Sequence, residues 1–276
     1  MGKCIYCGEK ARLLRTFHQE CHEKRESGWR ELLAAVTKGI VEQTAVPELE
    51  RELSQMARQS YHDKASILEA VIIGWEQTVE KFLEDGHLDE SEESRLATVA
   101  SGFGLGQEQL DRKGAWMRLA KGGALRDLLN GRIPTRLKIE GDLPFNFQKG
   151  EQLIWVFPDT KYYEDQKRRQ YVGRSSGASI RIAKGVYYRI GAFKGNPVDT
   201  VETVLVGTGL FGVTNKNLYL GGSGKGFRVR LDKVIAIHPY EDGVVIQQEQ
   251  ATSKPKTLMT GDGWFTYNVL KNATNV

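Results

Sequence analysis

Cys4-Ile5-Tyr6-Cys7-Gly8, followed by His18-Gln19-Glu20-Cys21-His22, holds all three cysteines of a 276-residue chain. A Cys-x-x-Cys and a following His-x-x-Cys have the spacing of a zinc site. The first pair predicts a tight knuckle, with Gly8 free to take the positive φ such a turn needs. The second pair, three residues apart, falls on one face of a first helical turn. Cys4, Cys7, His18 and Cys21 can then close a tetrahedron around Zn2+. Two other ligand sets remain open. His18 and His22, four apart, fit a Cys2His2 finger that leaves Cys21 unused. Three cysteines with a water in the fourth position would make a hydrolytic zinc. A disulfide framework does not fit an odd number of cysteines gathered at one end.

Outward from this segment, the chain reads as helical. From His18 to about Lys38 there is no proline, and Trp29, Leu32, Leu33 and Val36 recur at helical spacing. Pro47 opens a second helix, with Glu48, Glu50 and Glu52 at its start. A third runs from Ser66 to Leu83, its apolar stripe made of Ile67, Val71, Trp75, Val79, Phe82 and Leu83, and Asp85-Gly86 ends it. Asp89 caps a fourth, and Glu92 completes a capping box. A last helix is expected over 107–129, stopped at Asn130-Gly131.

From residue 132 the pattern changes to alternation. Leu153-Ile154-Trp155-Val156-Phe157 reads as a buried strand, and 179–182 and 186–190 as half-buried ones. Short strands are expected at 203–206, 210–214, 217–220, 227–231, 234–237, 244–247 and 257–259. Gly221-Gly222 and Asp242-Gly243 are the expected hairpin turns. An amphipathic helix over 262–272 closes the chain, with Trp264, Phe265, Val269 and Leu270 facing inward. The fold class is therefore α+β: a small Cys3His zinc finger at 1–26, a helical bundle at 27–131, and a β-rich module at 132–276.

Composition narrows the classes. Hydrophobic residues make up 40% and charged residues 27%, ordinary for a globular protein. No apolar run reaches the ~20 residues of a membrane span. The Met-Gly-Lys start has no apolar core for a signal peptide, and unpaired thiols suit a reducing compartment, so a cytoplasmic protein is expected. The net charge of +4 is too small to declare a nucleic-acid binder. Basic residues gather in the finger and again between Lys161 and Lys194, while acids concentrate between Glu42 and Asp111.

The segment Gly209-Leu-Phe-Gly-Val-Thr-Asn-Lys-Asn-Leu-Tyr-Leu220, with Phe227–Leu231, Val234–Ile237 and Asp242-Gly-Val-Val-Ile246, resembles the bacterial PH-like (GRAM-like) barrel over roughly 200–272. The middle of the chain, with Asp85-Gly-His-Leu-Asp-Glu-Ser-Glu-Glu93, is similar to TerB-like helical domains. The order of finger, helical body and PH-like module resembles the ring-activated zinc-finger ribonucleases of bacterial antiphage defence. The resemblance implies a cytosolic effector whose carboxy-terminal body senses a foreign protein, such as a phage component, and forms a homo-oligomer. Its finger would bind and cleave RNA.

Within the finger, Lys10, Arg12, Arg15, Lys24 and Arg25 are the candidate nucleic-acid contacts, because such clusters bind phosphates by charge. Tyr6 or Phe17 could stack on an unpaired base, and Phe17 could instead serve as core beneath the metal. RNA cleavage would need a proton acceptor and a phosphate clamp. His22, Glu20 and Arg15 are the candidates for those roles, against the plainer reading of His22 as a solvated helix residue or alternate ligand. His62, His87 and His238 lack ligand-spaced neighbours. Gly221-Gly-Ser-Gly-Lys-Gly226 lacks the spacing of a phosphate-binding loop. A non-enzymatic adaptor and a lipid-binding module using the basic run Lys167–Lys194 are the rival classes.

Overall fold

The computed structural model describes residues 2–12, 15–84, 88–136, 141–183, 186–250 and 252–276, with the backbone course alone for 167–200. The chain divides into two compact units, Met1–Arg136 and Leu137–Val276. The class is α+β. Among the described residues, no helix is long and apolar enough to cross a membrane.

The first unit carries the cysteine segment and then helices α1 (Gln19–Val41), α2 (Val46–Gln59), α3 (Lys64–Phe82), α4 (Glu90–Gly102), α5 (Gln107–Leu110) and α6 (Ala115–Leu129). Their starts follow local chemistry. Pro47 lies in the first turn of α2, where its missing N–H leaves no bond unmade. Asp63 caps α3 by accepting from Ser66 N at 2.8 Å. Asp89 and Glu92 form the expected capping box on α4. One core joins Leu32, Val36 and Ile40 of α1, Leu49 and Leu53 of α2, and Val71, Trp75 and Val79 of α3. The buried Trp75 indole donates to the Leu96 carbonyl at 3.0 Å, so its polar edge is satisfied.

The single helix expected over 107–129 is broken into α5 and α6. Gly114 takes a left-handed φ of 74°, and the Asp111 carboxylate accepts from Met117 N at 3.1 Å. An Asp side chain competing for a first-turn N–H is what starts a new helix there. The expected stop at Asp85-Gly86 lies outside the described residues, as does His87.

The second unit is one antiparallel seven-stranded sheet followed by a helix. The strands are β1 (Leu153–Ala183), β2 (Val186–Thr214), β3 (Asn217–Gly224), β4 (Phe227–Arg230), β5 (Val234–Pro239), β6 (Gly243–Gln248) and β7 (Lys256–Met259). Their order is β4-β3-β2-β1-β7-β6-β5. The separate short strands expected between 153 and 214 are fused into β1 and β2, paired from Leu153↔Thr214 to Ala183↔Val186. The basic run Lys167–Lys194 follows this hairpin, and its side chains lie outside the described residues. Helix α7 (Gly263–Asn272) begins at Asp262, whose side chain accepts from Phe265 N. Phe265, Val269 and Leu270 are buried, and the Phe265 ring meets Trp155 edge-on at 4.9 Å.

Two expectations fail here. Trp264 is 61% exposed, because the inward stripe of α7 runs through 265, 266, 269 and 270 and leaves 264 on the far side. Gly221-Gly222 lies within β3, and the chain turns later, at Lys225-Gly226. Gly209 of β2 pairs with Gly222, and a Cβ on Gly209 would come within 2.1 Å of the Gly221 carbonyl. The glycines here permit close strand approach rather than a turn.

Candidate metal centre

The cysteine segment is held by a few backbone bonds. Gly8 N donates to the Cys4 carbonyl at 2.9 Å and Cys4 N to the Glu9 carbonyl at 2.7 Å. Gly8 has φ 76°, as the knuckle requires. Ile5 N donates to Thr16 O at 2.9 Å, which brings the first pair back to the start of α1. There His18 is the residue before the helix and Cys21 lies in its first turn.

The result is convergence. One ligand atom each from Cys4, Cys7, His18 and Cys21 lies within 4.8 Å of all the others. His18 Nδ1 is 3.3 Å from Cys7 Sγ and 3.7 Å from Cys21 Sγ. Ligands about 2.0–2.3 Å from a tetrahedral centre stand roughly 3.3–3.8 Å apart, so these spacings suit a metal. The outer side of His18 fits as well. Its Nε2 lies 3.0 Å from the Lys10 carbonyl, which fixes Nε2 as the protonated nitrogen and leaves Nδ1 free to ligate. All three cysteines are unbridged, and His18, not His22, completes the group.

The thiols differ in their surroundings. Cys4 is 2% exposed. Burial pushes its thiol up, but backbone N–H groups of Cys7, His18 and Tyr6 aimed at the sulfur prevail, bringing it down to about 6. His18 N, for one, donates to Cys4 Sγ at 3.4 Å. Cys21 is pushed up, first by burial and then by the neighbouring sulfurs, against a hydrogen bond with Tyr61 that lowers it. A bound cation would relieve the opposition that the neighbouring sulfurs set against ionisation of Cys21. A metal held by all four side chains would have a closed shell, the arrangement of a structural rather than a catalytic site.

The other expected site residues separate into two groups. Arg12, Arg15, Phe17, His18, Gln19 and Glu20 line a recess of about 240 Å³ beside the cluster. Arg15 and Glu20 are thus brought together, with Arg12 beside them. His22 is not in the recess lining: its ring lies 5.0 Å from Phe17 and 6.3 Å from Tyr6, centroid to centroid. Its Nδ1 is buried and has no partner among the described residues. Lys24 and Arg25 point elsewhere again. Lys24 Nζ stands over the Tyr61 ring at 5.7 Å, and the Arg25 guanidinium over Tyr6 at 5.5 Å. Arg25 also donates to the Tyr61 carbonyl. Of the five basic residues, Arg12 and Arg15 line the recess, whereas Lys24 and Arg25 stand over aromatic rings.

Sequence reasoning missed Tyr61. It joins α2 to α3 at φ 58°, stacks on Tyr6 at 6.2 Å, and places its hydroxyl 3.8 Å from Cys21 Sγ. Its phenol is pushed up, chiefly by that hydrogen bond. The only local signal was an aromatic residue in a tight break between two helices, two residues before the capping Asp63. No protein-family model, no curated protein and no solved structure matches the chain.

Proposed function

We propose that the amino-terminal segment is a zinc finger, folded by one Zn2+ on Cys4, Cys7, His18 and Cys21, and that it binds RNA through phosphate. The observation that carries this is the four-atom convergence with a recess lined by two arginines at its side. Three thiolates and an imidazole in a tetrahedral shell favour zinc over harder cations. When bound, the ion supplies folding energy that so short a segment cannot obtain from a core. The chain's own residues do the rest. Arg12 and Arg15 present guanidinium groups, which pair with phosphate oxygens two at a time. The recess is smaller than the ~300 Å³ at which small-molecule pockets begin, so it suits a phosphate group better than a whole nucleoside.

Cleavage is the finer step of this reading. Glu20 and Arg15 share the recess, so a carboxylate and a cation are in place near a bound phosphate. The His22 ring, packed on Phe17 and Tyr6, favours a second reading in which the finger binds without cutting and the chain acts as an adaptor. For the whole chain, the reading is a cytoplasmic bacterial antiphage effector that oligomerises on a foreign protein. Clustering many weak basic heads would raise RNA avidity steeply. A PH-like identity for the second unit is supported by seven antiparallel strands followed by one helix packed against β5 and β6.

The test is RNA binding and total-RNA integrity for wild type, Arg12→Glu/Arg15→Glu and His22→Ala. Loss of binding and a shallower salt dependence in the double variant support the phosphate site. Unchanged binding in that variant removes it. RNA degraded by wild type but not by His22→Ala supports cleavage, and RNA left intact by an assembled, RNA-bound wild type supports the adaptor.

A further inference from the structure

Tyr61 belongs to the helical unit's α2–α3 turn, yet it lies against the proposed metal centre. Its hydroxyl oxygen is 3.8 Å from Cys21 Sγ, within reach of a hydrogen bond to sulfur. A metal-bound thiolate carries no proton, so the hydroxyl must be the donor. The ring is clamped as well. Tyr6, from the Cys4–Cys7 knuckle, stacks on one side at 6.2 Å, and Lys24 Nζ sits 5.7 Å from the ring centre. The backbone around it is also tied to α1. Arg25 donates to the Tyr61 carbonyl, and the next residue, His62, places Nε2 3.0 Å from the Arg25 carbonyl.

Tyr61 also holds a conformation that it would not choose. A φ of 58° is unfavourable for a bulky side chain, and here it falls just past the C-cap of α2, where a left-handed residue closes a helix. It ends α2, where His62 N donates to the Ala57 carbonyl at 2.8 Å, and Cys21, Tyr6 and Arg25 meet it there from the finger and the first turns of α1. The contacts thus form one circuit: Cys21, the tyrosine hydroxyl, the turn that ends α2, and back to α1 through Arg25.

We propose that Tyr61 is an outer-sphere positioning residue of the metal centre, and that its hydroxyl couples metal occupancy to docking of the finger on the α2–α3 turn. This rests on the zinc reading above. Outer-sphere partners of metal ligands orient the ligand and stabilise its charged form, and their removal typically weakens metal binding about 10–100-fold. The coupling is reciprocal by linkage: metal tightens docking, and docking tightens metal.

The experiment uses the full chain. Zn2+ affinity is measured by competition with a chromophoric chelator for wild type and Tyr61→Phe. Amide hydrogen exchange across residues 57–63 is followed with and without zinc. Tyr61→Phe keeps the ring, its stack and its backbone, so a merely structural role leaves zinc affinity unmoved. The expected result is about tenfold weaker zinc binding, with the melting of the zinc-free proteins unchanged. The amides of Ser60 and His62, which donate to α2 carbonyls, should exchange faster when zinc is stripped. Equal zinc affinities within twofold, or exchange at Ser60 and His62 indifferent to zinc, would overturn the inference. A wild type that binds no zinc would overturn the metal reading and this inference with it.

Discussion

Gly28 offers the sharpest test of how α1 meets the α2–α3 turn. It lies within α1, where glycine is about 1 kcal/mol worse than alanine for the helix itself. Alanine should therefore stabilise the chain unless packing forbids it. A Cβ at this position would stand 2.1 Å from Ser60 Cβ and 2.3 Å from Ser60 Oγ, whereas ordinary contacts begin near 3.5 Å. Ser60 is buried, and its Oγ donates to the Met56 carbonyl at 2.7 Å. Moving it away loses a bond worth about 1 kcal/mol, and overpacking adds about 1–3 kcal/mol. Set against the helix gain, Gly28→Ala should destabilise the first unit by about 1–3 kcal/mol. Ser60→Gly removes both offending atoms and leaves Ser60's Cα position at 3.6 Å. The double variant should therefore return close to wild type, about 2–4 kcal/mol better than the two single effects added, since Ser60→Gly alone loses the same bond to Met56. Urea unfolding followed by circular dichroism at 222 nm reads this, since most helix is in the first unit. A Gly28→Ala variant as stable as wild type, or strict additivity in the double variant, would refute the close approach of α1 to Ser60.

In the second unit, Phe265→Ala should destabilise by about 3–5 kcal/mol, while Trp264→Ala should stay within about 0.5 kcal/mol; thermal melts of the two separate a buried from an exposed aromatic residue. Glu151 accepts from Gln148 N, Thr214 Oγ1, Asn217 Nδ2 and Tyr219 Oη at 2.5–3.0 Å. Burial pushes its carboxyl up, but these donors prevail and hold it below the ordinary 4.5. Because the folded-state value is depressed, the stabilisation is present above pH 4.5 and lost as pH falls through the lower folded value. Glu151→Gln should therefore lose stability at pH 7 by about 1–3 kcal/mol, with the gap to wild type closing in acid. Stripping metal with a chelator should raise hydrogen exchange in residues 2–22 while leaving the Val71–Val79 core protected, because that core contains none of the ligands; global unfolding on chelation would contradict this.

What was legible in the sequence was what is local. Ligand spacing, the capping box at Asp89 and Glu92, Pro47 in a first turn and the apolar stripe of α3 each depend on neighbours within a turn or two. The break at Gly114 was missed because the apolar pattern runs through it and only the Asp111 side chain marks the restart. The long β1–β2 pairing was missed because glycines and polar residues inside it read as punctuation, when a cross-strand partner decides whether they continue the strand. Trp264 was misplaced by hydrophobicity without phase. For the site, the four clustered side chains were legible, whereas Tyr61 was not: it lies 40 residues beyond Cys21 and reaches it only through packing of α1 against the α2–α3 turn. The same packing takes Lys24 and Arg25 to aromatic rings, which charge counting had assigned to a nucleic-acid surface.

The most direct measurement is metal content with zinc K-edge X-ray absorption on the purified chain. The account predicts one zinc per chain, with three sulfur neighbours at about 2.3 Å and one nitrogen at about 2.0–2.1 Å, both lost together in Cys7→Ala. A chain free of zinc after purification in zinc-replete medium, or a shell with an oxygen in place of a sulfur, would contradict it.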